Sequence, residues 1–199
     1  MSPAIVDKEA KKEEILSAAA AVFAEKGFSN TKMEDISKRA EIGKGTLYEY
    51  FRSKDDLFFA LYQNLLNSFH TRIYSSLSPE QTPTEALTAM ISATLRAFDE
   101  WHDYGMLLLE FWNEHRRGKF LKLDFSDVYD KSRGILKNLI EEGIKKGEFA
   151  EVDAMVASST IIAVLDGILL QRIFDPDLYS KMDVEKHILT VIFGGLKIR

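Results

Sequence analysis

The chain has 199 residues, of which 46% are hydrophobic and 29% charged, and its net charge is −5 at pH 7. This composition is that of a globular protein with enough apolar residues for one or two cored domains, so it excludes disordered and collagen-like proteins. The chain contains no cysteine, which excludes a disulfide framework, a thiolate nucleophile and a cysteine zinc site.

Charge is unevenly distributed along the chain. Residues 1–54 carry ten Lys or Arg and nine Asp or Glu, whereas residues 55–199 carry sixteen and twenty-two. The polar N-terminus lacks the apolar stretch of a secretory leader, and the longest uncharged run of the C-terminal part, 154–165, is shorter than the roughly 20 residues that cross a bilayer. We therefore expect a cytoplasmic protein with no membrane partner and an electrostatically distinct first quarter.

Helical periodicity extends through nearly the whole chain, and strand-like alternation is absent, so an all-α fold of about nine helices is expected. The first helix is predicted to end at Gly27, since a glycine there can take a positive φ. The predicted helices cover residues 8–26, a short segment from about 32, a short segment that ends near 51, and then 54–76, 84–102, 104–116, 121–146, 151–174 and 184–197.

Local capping signals mark two of the helix starts. Thr31 and Glu34 have the spacing of a capping box, and Ser53 is a predicted N-cap with Asp56 at the third helical position. Gly43 and Gly45 lower helix propensity between the second and third helices. Two short helices joined by a tight, glycine-containing turn behind an amphipathic helix are typical of a helix-turn-helix unit, here at about residues 32–51.

The residue types in this segment favour DNA as its partner. Leu47 and Phe51 have the spacing of an inward face, while the Tyr48 ring could contact a thymine methyl group. The other side chains supply phosphate donors and one small residue for close approach, namely Lys44, Gly45, Thr46, Tyr50, Arg52 and Lys54. On charge alone, these side chains could equally form the solvated face of a structural three-helix module.

Three longer motifs sharpen the interpretation: Phe-Ala-Glu-Lys-Gly-Phe at 23–28, Thr-Lys-Met-Glu-Asp-Ile at 31–36, and Lys-Gly-Thr-Leu-Tyr-Glu-Tyr-Phe at 44–51 followed by Ser-Lys at 53–54. Together they resemble the N-terminal domain of the tetracycline-repressor (TetR) family of bacterial transcription regulators over about residues 8–60. The resemblance implies a DNA-binding domain at 1–54 and a C-terminal effector-binding and dimerisation domain at 55–199. It also implies operator contacts by Thr31, Lys32, Lys44, Gly45, Thr46, Tyr48, Tyr50 and Lys54.

Two positions depart from the family pattern. Glu41 stands where the family turn usually has glycine, and a left-handed conformation there costs about 1–2 kcal/mol unless Gly43 absorbs part of the change. Glu49 stands where members often carry an aromatic residue or histidine. Its carboxylate could accept from cytosine N4, or it could point away from the DNA, which repulsion by phosphate favours.

The C-terminal region also resembles the family, more loosely, through Gly-Glu-Phe at 147–149, Asp153, Leu-Asp-Gly-Ile at 165–168 and Gln171. A helix that is apolar on all sides must be covered on all sides, so we expect a homodimer in which the last two helices form a four-helix bundle. A monomer with one deeply buried helix is the alternative. The predicted interface residues are Met155, Ser158, Ile161, Ile162, Leu165, Leu169, Ile188, Val191 and Ile192.

An aromatic-rich stretch lies between these regions, and the resemblance implies an apolar effector pocket there. The candidate ligand contacts are Phe69, Phe98, Trp101, Tyr104, Phe111, Trp112 and His115, although a core position is the commoner role for any one of them. Glu110, Glu114 and His115 share a helix, but an exposed face paired with neighbouring arginines is favoured over a metal site, and no cofactor is expected.

The chain lacks the Gly-x-Ser-x-Gly, His-Glu-x-x-His and P-loop motifs, and its four histidines do not have ligand or nucleophile spacing, so no enzyme is expected. We therefore predict a homodimeric regulator, usually a repressor, that binds a palindromic double-stranded DNA operator and is released by a mainly apolar small molecule. The alternative is a helical ligand-binding or interaction protein without DNA function.

Overall fold

The structure, a computed structural model, describes residues 8–100, 105–116, 118, 125–177 and 183–196. The regular structure of these residues is helical, which confirms the all-α prediction. The helices are α1 (Lys8–Asn30), α2 (Met33–Arg39), α3 (Lys44–Tyr50), α4 (Lys54–Ser75), α5 (Pro83–Glu100), α6 (Gly105–Arg116), α7 (Phe125–Lys145), α8 (Ala154–Phe174) and α9 (Val184–Leu196).

The chain forms two compact units, the first comprising Met1–Asn67 with Asp103–Lys122 and the second comprising Ser68–His102 with Leu123–Arg199. The first unit therefore contains α1 to α3, most of α4 and also α6. The predicted division at residue 54 differs from this boundary, since α6 belongs to the first unit. The sequence around α6 carries no sign that it packs with the N-terminal helices.

An aromatic cluster forms the core of the first unit. Phe58 of α4 lies at its centre, with ring centroids 4.9 Å from Phe23, 4.6 Å from Phe28 and 5.7 Å from Phe111. Phe111 of α6 also stacks on Tyr62 of α4 at 3.7 Å. Because these rings are nearly inaccessible to solvent, they join α1, α4 and α6 into one apolar core.

The capping predictions are correct at one site and wrong at another. Ser53 caps α4 as predicted, since its hydroxyl accepts from the Asp56 amide at 3.0 Å. At α2 the N-cap is Lys32, and the carboxylate that accepts from its amide, at 2.9 Å, is that of Asp35. The Thr31 hydroxyl instead donates to the Gly27 carbonyl at 2.7 Å, so the predicted Thr31–Glu34 box does not form.

The second unit packs α5, α7, α8 and α9 around an apolar core. Gly143 of α7 permits a close approach, because a Cβ there would lie only 2.1 Å from the buried Phe149 ring. The Ala150 amide donates to the Leu196 carbonyl at 2.7 Å, which brings the end of α9 next to the segment that precedes α8.

Helix α8 is long and apolar enough to cross a membrane by length and composition, a test that core helices of soluble proteins also pass. No such helix was predicted from the sequence, because the uncharged run 154–165 is only part of α8. Both charged residues of α8 pair within the second unit: Asp166 accepts from the Tyr129 hydroxyl at 2.9 Å, and Arg172 pairs with Asp99. Burial and then the Asp166 carboxylate raise the pKa of Tyr129 to about 12.

Candidate nucleic-acid interface

Helices α2 and α3 and the turn between them have the geometry of a helix-turn-helix. Ile36 of α2, Leu47 of α3 and Phe51 directly after α3 are buried at 0–2% exposure, which agrees with the inward face predicted for residues 47 and 51. The apolar side of each short helix is thus covered by its own unit. The opposite side of α3 is left accessible.

The turn contains the positive φ that the sequence comparison anticipated at Glu41, where φ is 54°. The Ile42 amide donates to Ser37 O at 3.0 Å, and the Glu41 amide donates to Lys38 O at 3.3 Å. These two bonds define a Schellman motif with Glu41 at the C′ position, where glycine is the usual residue. Gly43 has φ −65° and does not absorb the strain, contrary to that expectation.

Replacing Glu41 by glycine should therefore stabilise the protein. Glycine removes the left-handed penalty but makes the unfolded chain more flexible, and the net gain is about 1 kcal/mol. For a chain of this length the melting temperature should rise by roughly 2–4 °C. Glu41→Ala is the matched control, since it removes the charge and keeps the penalty; an equal rise in that variant would assign the effect to charge instead.

The predicted operator-contact residues of α3 lie mostly on its accessible side. Lys44, Gly45 and Tyr48 are exposed, and Thr46 and Tyr50 are half-buried. A Cβ at position 45 would meet nothing within 4 Å, so packing within the protein does not require glycine there.

The cations around α2 and α3 are mostly paired with carboxylates. Glu34 accepts from Lys44 at 2.8 Å and from Lys38 at 3.1 Å, and hydrogen bonds from these two lysines, Lys44 first, lower the pKa of the Glu34 carboxyl. In the described part of the chain, Lys32 and Arg52 are exposed and make no ion pair. The segment therefore presents cations to phosphate although its net charge is small.

Two predicted operator contacts have other roles in the structure. The Thr31 side chain is 2% exposed and its hydroxyl bonds to Gly27 O, so it does not face solvent. The Lys54 ammonium donates to the carbonyls of Phe28 and Thr31, at 2.6 and 2.9 Å, and more weakly to that of Ser29 at 3.3 Å. Sequence patterns could not distinguish a lysine that donates hydrogen bonds to backbone carbonyls from one that contacts a DNA phosphate.

The described candidate ligand residues belong to two different units. Phe69 and Phe98 stack at 6.0 Å in the second unit, whereas Phe111, Trp112 and His115 belong to α6 in the first unit. Trp101 and Tyr104 lie outside the described residues. Phe111 lines a small apolar cleft with other side chains of α4 and α6, namely Phe58, Leu61, Tyr62, Leu65, Leu107 and Leu108.

The interpretation of α6 as an exposed, paired face is wrong. Glu114 is 5% exposed, and Glu110 accepts from the Phe28 amide at 2.7 Å. Glu114 is thus buried and the half-buried Glu110 is bonded to the backbone of α1, roles that i, i+4 spacing within one helix could not reveal. Among the described residues there is no group of three or more potential metal ligands.

The predicted interface residues of α8 and α9 are also mostly internal. Met155 and Val191 are exposed and Ile162 is half-buried. The others are buried within the second unit itself; they are Ser158, Ile161, Leu165, Leu169, Ile188 and Ile192. Helix α8 is apolar on all sides, so its sequence did not distinguish the inner face from the outer.

Comparison with known proteins agrees with this geometry. Residues 15–61 match the family described as bacterial regulatory proteins, tetR family, and residues 83–193 match the C-terminal domain of BetI-type transcriptional repressors. The fatty acid metabolism regulator protein of Bacillus subtilis is 23% identical over 190 residues, which cover 95% of this chain and 97% of that protein.

Solved structures show the same fold. FadR, a fatty acid degradation regulator of Bacillus halodurans, superposes with a TM-score of 0.76 at 26% identity, covering 95% of this chain and 97% of that one. A TetR transcription regulator of Haloarcula marismortui gives 0.84 at 22% identity, covering 95% and 100%. Because one matching domain alone spans more than half of the chain, the protein belongs to the tetR family of bacterial regulatory proteins and is a DNA-binding transcription regulator.

Proposed function

We propose that the protein is a cytoplasmic homodimeric repressor that binds a palindromic operator and is released by a mainly apolar small molecule. The observation that carries the DNA-binding part is the buried Leu47 and Phe51 beneath an exposed face of Lys44, Gly45 and Tyr48. That face has the size and residue types of a recognition helix for the major groove. The function is binding, without a chemical step.

A dimer is supported by an uncharged stripe on the outer face of α8. Exposed positions recur there with helical spacing at Val156, Thr160, Ala163 and Val164. Val156, in the first turn of this long apolar helix, is 60% exposed, and Val164, in its middle, is 38% exposed. A second copy of the chain would remove this surface from water.

Helix α9 carries a matching outer stripe. His187, Thr190, Val191 and Gly194 are exposed at helical spacing, and Val191 is 73% exposed. Two such helices from each protomer can form a twofold four-helix bundle. A twofold dimer would present two α3 helices to the two halves of a palindrome.

The proposed effector is mainly apolar. Seven apolar or aromatic side chains, among them Leu65 and Phe111, line a space of about 10 Å³ between α4 and α6, which an effector would have to widen. Two Bacillus proteins similar to this chain are named as regulators of fatty acid metabolism or degradation. Straight-chain fatty acids are therefore the first probes, with a phosphorylated sugar as the polar control.

The test combines operator binding with thermal unfolding. DNA from upstream of the protein's own gene should bind in a salt-dependent manner, and a fatty acid that binds should weaken this complex. At a ligand concentration of 100 times Kd the folded state gains about 2.7 kcal/mol, which raises the melting temperature by roughly 5–10 °C. Leu65→Phe, which narrows the cleft, should reduce both effects.

Each part of the proposal can fail separately. Absence of binding to promoter DNA, with fatty acid binding intact, would favour a ligand-binding protein without DNA function. If the phosphorylated sugar shifted both melting and operator affinity while every fatty acid left them unchanged, the apolar effector would be wrong and the repressor would stand.

A further inference from the structure

The segment 28–31, which joins the kink of α1 to the start of α2, is held by charged side chains from two helices outside the helix-turn-helix. Gly27 has φ 74° and turns the chain out of the long helix α1. Lys32, the N-cap of α2 and an exposed cation, follows directly after the segment. The position of the segment therefore determines where α2 begins.

Lys54, at the start of α4, holds the carbonyl side of this segment. Its ammonium group bonds to the oxygens of Phe28, Ser29 and Thr31, and it lies 4.4 Å from the centroid of the Phe28 ring. An ammonium group has three N–H donors, and this segment offers it three carbonyl acceptors. A charged donor strengthens each bond relative to a neutral one.

Glu110 of α6 holds the amide side of the same segment. Its Oε2 accepts from the Phe28 amide at 2.7 Å, and its Oε1 lies 3.0 Å from where a Cβ of residue 27 would stand. Glycine at position 27 thus provides both the positive φ and the room for the carboxylate. Phe28 is the shared residue, since its amide bonds to Glu110 and its carbonyl to Lys54.

We propose that Lys54 and Glu110 are positioning residues for operator binding, which act through the 28–31 segment to fix the start of α2 and do not contact DNA. The proposal rests on the DNA-binding function given above. It makes α4 and α6 the two helices whose displacement would move Lys32 relative to α3. It also replaces the phosphate contact that family resemblance implied for Lys54.

Salt dependence of operator binding separates the two roles of Lys54. A lysine that neutralises a phosphate contributes about 0.9 to the slope of log K against log salt concentration. Lys54→Met should leave this slope unchanged, weaken operator binding roughly tenfold, and speed amide hydrogen exchange of residues 28–33 in the free protein. Lys32→Met is the matched control, expected to lower the slope and leave exchange unchanged.

Glu110→Met provides a second test, because it removes a negative charge whereas Lys54→Met removes a positive one. Removing a negative charge from a DNA-binding protein strengthens binding by long-range electrostatics alone, whereas loss of the Phe28 anchor should weaken it. This variant also keeps the proposal testable if Lys54→Met does not fold.

The contrary outcomes are distinct. If Lys54→Met lowered the salt dependence of operator binding and left amide hydrogen exchange of residues 28–33 unchanged, Lys54 would be a phosphate contact. If Glu110→Met bound the operator as tightly as the wild type or more tightly, the role of α6 would be overturned. If the wild-type protein bound no promoter DNA, operator binding itself would fail, while hydrogen exchange of residues 28–33 would still report whether the two side chains hold the segment.

Discussion

Val191→Asp is expected to convert the proposed dimer into folded monomers and to abolish operator binding at physiological salt. Val191 is 73% exposed in the single chain, so an aspartate there costs nothing within the protomer. In a twofold interface each substitution occurs twice, and an unpaired buried charge costs several kcal/mol. The dimer dissociation constant should rise roughly a hundredfold or more.

Val164→Asp tests the neighbouring stripe on α8 and should act in the same direction, since Val164 is 38% exposed and lies within the uncharged run 154–165. Light scattering at micromolar concentration gives the oligomeric state, and circular dichroism gives the helical content. Met106→Asp, an equally apolar and exposed position on α6, is the control that should remain dimeric.

Ile161→Asp and Ile188→Asp must be interpreted differently. Both isoleucines are buried in the core of the second unit, with at most 8% exposure, so these variants should unfold the unit instead of separating the protomers. If Val191→Asp and Val164→Asp both remained dimers at sub-micromolar concentration, the interface would have to lie on another surface.

Sequence patterns predicted the helices well because each is governed by local rules. Gly27 takes the positive φ expected at the end of a helix, and Ser53 caps α4 by accepting from the Asp56 amide. Glu41 adopts the strained conformation that its place in the turn demands. In each case the cause lies within a few residues of the effect.

Roles that depend on distant contacts could not be predicted in this way. Lys54 donates hydrogen bonds to residues more than twenty positions earlier in the sequence, and Glu110 accepts one from Phe28, which is 82 positions earlier. Both are polar side chains that looked available for phosphate or for local pairing. Their hydrogen-bond partners are backbone groups, which carry no residue-specific signal in the sequence.

The inner and outer faces of α8 could not be told apart from the sequence for a related reason. In an amphipathic helix the inner face is apolar and the outer face polar, so the sequence identifies the inner face. Both faces of α8 are mainly apolar, so its sequence does not. Ile161 and Val164 are therefore indistinguishable as apolar residues in the sequence, yet Ile161 is buried and Val164 is exposed in the structure. Only the packing of α5 and α7 on one side of α8 decides which residues remain for a partner.

Gly45→Ala is expected to abolish tight operator binding while leaving the protein at least as stable as the wild type. A Cβ at this position meets nothing within 4 Å in the free protein, and residue 45 lies within the helical range of α3. Alanine is favoured over glycine in a helix by about 1 kcal/mol. The fold alone would therefore prefer alanine here.

The expected loss comes from DNA. If the start of α3 enters the major groove, the backbone at position 45 approaches the phosphates or base edges closely, and an added methyl group forces the helix outward. A displaced helix loses the contacts of Lys44 and Tyr48 together. We expect operator affinity to fall roughly a hundredfold, equivalent to the loss of one or two good base contacts.

Gly134→Ala is the matched control for this substitution. Gly134 lies inside helix α7 of the second unit, and a Cβ there also meets nothing within 4 Å. Both variants should therefore melt at or above the wild-type temperature, and only Gly45→Ala should lose operator affinity in a fluorescence anisotropy titration. If Gly45→Ala bound the operator as tightly as Gly134→Ala, the backbone of α3 at residue 45 would not lie against DNA, and the recognition surface would have to be placed nearer Tyr48 and Arg52.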